Sequence, residues 1–151
     1  VRVQDDGCGM DAPTLAEALR FGGSSRFNSR TGLGRYGMGL PNSSLSHARR
    51  QEVWSWQGPA PLYSYLDVDE IAGQQQEVIP WPSQTALPPD ASTSRSGTLV
   101  RWSRCDRIDV RRLATLRQEL ASFLSSTFRS FLWDGLKIRV DGTPLAGAEA
   151  R

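Results

Sequence analysis

At 151 residues, with 38% apolar and 23% charged residues, the chain has the size and composition of a soluble globular domain with room for a sizeable core. A formal charge of +2 is too small to argue for nucleic-acid or membrane binding, and no apolar run approaches the length that crosses a bilayer. Two cysteines in unrelated contexts, Cys8 and Cys105, and a single histidine, His47, argue against a disulfide framework, a zinc cluster or a Ser-His-Asp arrangement; a reducing, cytoplasmic setting is expected.

Val1-Arg2-Val3 alternates like a strand, so residues 1–4 read as a short one that enters the first motif without a lead-in. The expectation is a domain whose natural chain begins further upstream. Asp11-Ala12-Pro13 marks a helix start, with an apolar stripe of Leu15, Leu19 and Phe21. Residues 22–34 are rich in Gly, Ser, Arg and Asn and read as a mobile loop. A helix is expected from Gly37 to about Arg49, with Pro41 tolerated in its first turn. Strands follow at 52–57 and 62–68, joined by a turn over Gln57–Pro61.

Residues 70–97 hold Gln74-Gln75-Gln76, several prolines and a Ser/Thr cluster. They read as a long surface loop, a variable insertion with at most one short strand near 77–80. Strand character returns over 98–103. Asp109 is placed to cap a long amphipathic helix through Leu113, Leu116, Leu120, Leu124, Phe128 and Phe131, and residues 136–145 read as a hairpin around Asp141-Gly142. The five tryptophans read as core or half-buried sheet residues, and Arg104, Arg107, Arg111 and Arg112 as a solvated face, with a basic patch for nucleic acid or phosphate as the alternative. Antiparallel-looking strands with a few helices give an α+β sandwich.

Three pieces carry chemistry. In Asp5-Asp6-Gly7-Cys8-Gly9-Met10, alternate glycines let the backbone approach a flat ligand, and an aspartate held there accepts a hydrogen bond from an exocyclic amine, which selects adenine; the alternative is an acidic turn after a strand. In Gly32-Leu33-Gly34-Arg35-Tyr36-Gly37-Met38-Gly39-Leu40, glycines ahead of a helix leave N–H groups and the helix dipole facing a phosphate, with Arg35 adding charge; the alternative is a flexible loop with a glycine cap. No Gly-Lys-Ser/Thr follows, and no strand precedes, so neither a Walker loop nor a dinucleotide fingerprint fits. Thr98, in Ser96-Gly97-Thr98, is placed to bring a hydroxyl beside the base, a common step that means little alone.

In order and spacing these pieces resemble the boxes of the GHKL superfamily of ATPases: gyrase, the ninety-kilodalton heat-shock chaperones, histidine kinases and MutL. The first resembles the family's Asp-x-Gly-x-Gly box, the second its glycine-rich lid box, the third its late Gly-Thr box. Leu19-Arg20-Phe21-Gly22 with Ser24-Ser25, and Gly34-Arg35-Tyr36-Gly37-Met38-Gly39-Leu40, look most like the MORC-type and related bacterial branch. The resemblance runs from Val3 to about Arg107, and more loosely to Leu145.

By that resemblance Asp5 contacts the adenine amine and Thr98 supports the base. Gly7 and Gly9 shape the pocket and Met10 lines it. Gly37, Met38 and Gly39 offer N–H groups to the phosphates, Gly34, Arg35 and Tyr36 belong to the same box, and residues 22–36 form the lid. The implied fold is a two-layer sandwich of the Bergerat type, with helices on one face of a mixed sheet. It spans residues 1–145, with 70–97 as an insertion and 146–151 starting a linker. The implied ligands are ATP and Mg²⁺, with ADP as product and homodimerisation on ATP binding in the intact protein; whether nucleic acid or a protein is the client stays open.

The family's catalytic glutamate and magnesium-holding asparagine lie on a helix ahead of the first box, so they are expected upstream of Val1; Glu17 and Asn42 do not occupy that place in the motif order. The reading is an ATP-driven switch with hydrolysis in the intact protein. A non-catalytic nucleotide-binding or interaction module is the alternative. A histidine-kinase domain ranks third, because the lid box and the Asp109–Phe131 helix with its hairpin fit MORC and MutL better.

Overall fold

The computed structural model describes residues 1–23, 37–92, 94–108 and 112–146. The chain divides into two compact units, Val1–Arg107 and Ile108–Arg151.

The first unit is built on a five-stranded sheet: β1 (Arg2–Asp5), β2 (Arg50–Trp56), β3 (Leu62–Asp67), β4 (Ser83–Gln84) and β5 (Gly97–Ser103), in the order β1-β5-β2-β3-β4. Every pairing among these strands is antiparallel, where the resemblance implied a mixed sheet. Parallel neighbours need a crossover of a dozen residues or more; here β2 and β3 are joined by the tight Gln57–Pro61 turn, and the other neighbours return in opposite directions.

The period-two alternation of β2 sorts its side chains. Val53 and its cross-strand neighbours face α1 (Ala12–Ala18) and α2 (Gly39–His47), where Leu15, Leu19, Val53 and Leu66 form a buried cluster flanked by Met10, Leu40 and Leu45. Trp54, Trp56 and Leu99 form a second cluster, against which Leu87 and Ala91 pack. The α+β sandwich with helices on one face is therefore the fold of this unit. Asp11 caps α1 by accepting the Thr14 N–H at 3.0 Å, and the Thr14 side chain and amide together hold its carboxyl below the usual carboxylate range. Phe21, expected on the α1 stripe, lies beyond the end of the helix and is exposed.

The stretch 70–97 differs from a plain loop. It holds the end of α3 (Val68–Ala72) and β4, and its side chains bind the sheet. The Gln76 amide accepts the Asp67 N–H at 3.0 Å and donates to the Tyr65 carbonyl at 3.1 Å, in the manner of an added strand. Pro80 offers its carbonyl to the buried Ser64 hydroxyl at 2.6 Å. Such anchors carry no periodicity, so the sequence gives no sign of them. Trp54 and Trp56 are buried as expected, but Trp81 is 67% exposed. Of the arginine cluster, Arg104 is no idle solvated residue: it pairs with Asp67 and Asp69.

The second unit holds α4 (Leu113–Thr127), α5 (Arg129–Trp133) and a hairpin of β6 (Arg139–Val140) and β7 (Thr143–Pro144). The single helix expected to Phe131 is broken at Phe128, whose ψ of 20 leaves the helical range. Asp109 lies outside the described residues, and Arg112 takes the cap position. Asp141 and Gly142 both have positive φ, 50 and 81, as a two-residue turn matched to strand twist requires. Trp133 is 59% exposed, against expectation.

Candidate functional site

Asp5 closes β1 directly opposite Thr98 of β5. Its Oδ1 accepts two main-chain N–H groups, from Gly7 at 2.9 Å and from Thr98 at 3.2 Å. One carboxylate oxygen is thus spent on holding the turn, and Oδ2 is the oxygen available to a ligand. The side chain is exposed, so it meets solvent without the desolvation penalty of a buried charge.

Behind this pair sits Ser55, which is fully buried. Its hydroxyl accepts the Met10 N–H at 2.8 Å, lies 3.1 Å from the Thr98 hydroxyl, and reaches the Gly97 carbonyl at 3.2 Å. A serine hydroxyl has one proton to give. When Ser55 gives it to Gly97, Thr98 donates to Ser55 and keeps its own lone pairs free to accept from a base amine. Sequence reading missed Ser55. It shares its face of β2 with Val53 and the equally buried Gln51, so a polar residue there does not stand out, and its partners are set by the pairing of β2 with β5.

The loop between Asp5 and Met10 is laid against the end of β2. Gly9 has φ +67, and a Cβ added there would stand 2.0 Å from the Trp56 carbonyl oxygen. Both the backbone angle and the space require glycine. Gln57 steadies the same residue, donating to the Gly9 carbonyl at 3.4 Å.

The second motif meets the first through the core. Gly37 has φ +61, and a Cβ there would lie 2.0 Å from the Gly23 carbonyl oxygen; the Gly22 N–H donates to the Gly37 carbonyl at 3.2 Å. The two ends of the segment between them are therefore held side by side. Gly34, Arg35 and Tyr36, with the lid reading for most of 22–36, lie outside the described residues. The helix α2 starts at Gly39, not Gly37, with Met38 at the cap position and no side-chain cap. The N–H groups of Gly39 and Leu40 have no intrahelical acceptor, and Pro41 has no N–H to satisfy. Both donors lie at the positive end of the helix dipole, an arrangement suited to an anion. Among the described residues a Cβ added at Gly39 meets nothing within 4 Å. Leu40 and Met10 pack against the same buried cluster, which brings the start of α2 and the first turn onto one support.

Among the described residues no group of three or more His, Cys, Asp or Glu side chains gathers as a cation site. Glu17 faces Arg20 at 3.4 Å and Asn42 is exposed in the first turn of α2. The donors and acceptors present fit an adenine nucleotide. Two depressions of about 460 and 380 Å³ lie elsewhere, along Pro59–Pro61 with residues 84–87 and along Trp54, Tyr63 and Pro88-Pro89, and no member of the Asp5–Thr98 group lines either. Hydrogen-bonding chemistry, not concavity, marks the site.

Residues 1–98 match the family described as histidine kinase-, DNA gyrase B-, and HSP90-like ATPase. The chain belongs to this family. No curated protein matches it. As a family member it is a nucleotide-binding ATPase module, and the match takes in both glycine motifs and ends at Thr98. No described helix is long and apolar enough to cross a membrane.

Proposed function

We propose that this domain binds ATP with Asp5 reading the adenine amine, Thr98 supporting the base, and the start of α2 holding the phosphates through Gly37, Met38 and Gly39. The observation that carries the reading is the Asp5–Thr98–Ser55–Met10 network: one hydrogen-bonded unit fixes the base-reading carboxylate, the late hydroxyl and the first glycine turn together. The paired ends at Gly22 and Gly37 support residues 22–36, with Gly34, Arg35 and Tyr36, as a lid that closes over the phosphates.

In the intact protein, closure promotes homodimerisation and hydrolysis to ADP and phosphate resets it. Leu19-Arg20-Phe21-Gly22 and the second glycine motif favour the MORC-type and related bacterial branch, and the two separate cysteines, Cys8 and Cys105, favour a reducing, cytoplasmic setting. A second reading, a module that binds nucleotide without hydrolysing it, keeps the same binding residues; it is favoured by Glu17, the acidic residue of α1, lying 3.4 Å from Arg20.

Calorimetric titration with ATP, GTP and adenosine tests the binding reading. ATP should bind more tightly than GTP, because a carboxylate accepts from an amine and repels a carbonyl oxygen. Equal affinities for ATP and GTP would overturn it. Phosphate release by the intact protein then separates the switch from the passive module.

A further inference from the structure

We infer that Thr85–Ser92 together with Ser94–Ser96 is a strap that positions the adenine-reading strand from behind, with Asp90 as its fastening. This rests on the nucleotide reading of Asp5 above. The strand that carries Asp5 has little to hold it. It has four residues, lies at the edge of the sheet, and among the described strands pairs only with β5; its Val3 is 61% exposed.

On β1 the side chains alternate, so Arg2 and Gln4 point away from the face that Asp5 serves. Both are taken by the strap. The Arg2 guanidinium donates to the Asp90 carboxylate at 2.8 Å and also to the Asp90 main-chain carbonyl. The Gln4 amide brackets Ser92, accepting its N–H at 3.0 Å and donating to its carbonyl. Asp90 reaches the next strand as well: Arg101 of β5 donates to its other oxygen at 2.9 Å.

Arg2 and Arg101 are cross-strand partners. Two like charges placed directly opposite repel. The Asp90 carboxylate bridges them, turning a repulsive pair into a bond across the one ladder that holds β1. The Arg2 pairing in turn draws its carboxyl below the usual range. The strap then passes behind β2, where Trp56 Nε1–H donates to the Ser94 carbonyl at 2.9 Å, and runs into Gly97-Thr98. The three strands bearing Asp5, Thr98 and Ser55 are thus each gripped on the side opposite those residues, or continuous with the strap.

An exposed ion pair adds little to global stability. The expected effect is therefore local: alignment of β1 on β5. Asp90→Ala, Asp90→Glu and Gln4→Ala, each in the full chain, test it with two readouts. Without ligand, amide exchange followed residue by residue should speed up roughly three- to ten-fold at Gly7 and Thr98 in Asp90→Ala and Gln4→Ala, the scale of losing a cross-strand pair or charged hydrogen bond. Amides of the β2–β3 ladder should not change, and Asp90→Glu should restore most of the protection. With ligand, Asp90→Ala should lose ATP-over-GTP preference by a similar factor.

Unchanged exchange at Gly7 and Thr98 would overturn the strap. Uniformly faster exchange, β2–β3 included, would also overturn it, since that is ordinary loss of stability. A wild-type chain that does not prefer ATP over GTP overturns the adenine reading and with it the selectivity claim, and the ligand-free exchange still decides the strap.

Discussion

Ser55 and Thr98 stand opposite each other across β2 and β5, with their hydroxyl oxygens 3.1 Å apart. Thr98 is half-buried and Ser55 wholly buried, so the packing of the sheet fixes the position of the Thr98 hydroxyl, the group proposed to support the base. Met10 joins them through its N–H, and that one bond makes the first glycine turn part of the same unit.

The Ser55→Ala variant should therefore lose more than a hydroxyl. Removing it leaves the half-buried Met10 N–H without its acceptor, a penalty of about 1 kcal/mol, the low end of the range for a buried donor. Chemical denaturation of the variant should show a loss of that size, and nucleotide affinity should fall with it. A stability equal to wild type would mean that the turn does not depend on Ser55.

Asp5→Ala should weaken ATP by about 1.5–3 kcal/mol, the value of a hydrogen bond to a charged group. Because Oδ1 also holds the Gly7 and Thr98 N–H groups, the fold around the turn should loosen too. Asp5→Asn separates the effects: it retains an acceptor at Oδ1 and removes the charge. Isothermal titration of both variants checks this, and identical ATP affinity in Asp5→Ala and wild type would exclude Asp5 from base recognition.

The two glycines flanking the start of α2 should answer differently. Gly37→Val forces a side chain into a positive-φ site against the Gly23 carbonyl, so it should destabilise the unit with or without ligand. Gly39→Val has free space and ordinary backbone angles, so the ligand-free chain should keep its melting temperature within a few degrees. ATP should nevertheless weaken more than adenosine in Gly39→Val, because the branched side chain obstructs close approach to the Gly39 and Leu40 N–H groups. Equal weakening of both ligands would assign the loop a structural role.

How much of this was legible in the sequence depends on what kind of contact was involved. Asp5, Gly9 and Gly37 were readable because their chemistry is local: a carboxylate on a turn, and backbone angles that only glycine adopts freely. The strands and helices of the first unit were readable from period and cap residues such as Asp11 and Pro13. Ser55 was not singled out, since its role depends on a register between strands separated by dozens of residues. The Gln76 and Asp90 anchors were hidden for the same reason, and a polar, proline-rich stretch gives no period to follow. Exposed Trp81 and Trp133 show the converse: residue type alone does not say whether a face finds a partner.

Acid should weaken the network at the ends of β2 and β3. Burial by itself pushes the Asp67 carboxyl up; Arg50, the Asp69 and Glu70 N–H groups and Arg104 outweigh it and bring the group below its usual value. Asp69 is lowered too, chiefly by Arg49. A carboxyl with a folded value below its unfolded one stabilises above the unfolded value, about pH 4, and loses that contribution as pH falls through the folded one. Asp67 is only 3% exposed and also caps α3, so Asp67→Asn should lower stability at pH 7 by about 1–3 kcal/mol. The gap from wild type should narrow as pH drops from 6 toward 3. A gap constant across that range would remove the ionised carboxylate from the account.

The last expectation concerns turnover. Hydrolysis needs a positioned base to activate water and a held metal to neutralise the phosphates. Within this chain Glu17 faces Arg20 in an exposed pair, and no group of three or more His, Cys, Asp or Glu gathers among the described residues, whereas the carboxylate proposed to read the base and the start of α2, which has no side-chain cap, are both described. The chain as given should therefore bind adenine nucleotide, weakly, and release phosphate slowly. Losing a positioned base alone lowers a rate by on the order of 100- to 10,000-fold. A phosphate-release assay on this chain, read against a protein-free blank, measures it. Turnover of about 1 s⁻¹ or more, the ordinary range for enzymes, would put a working base inside residues 1–151 and direct the search to Glu17, Asp6 and Asp11, carboxylates near the first turn in sequence.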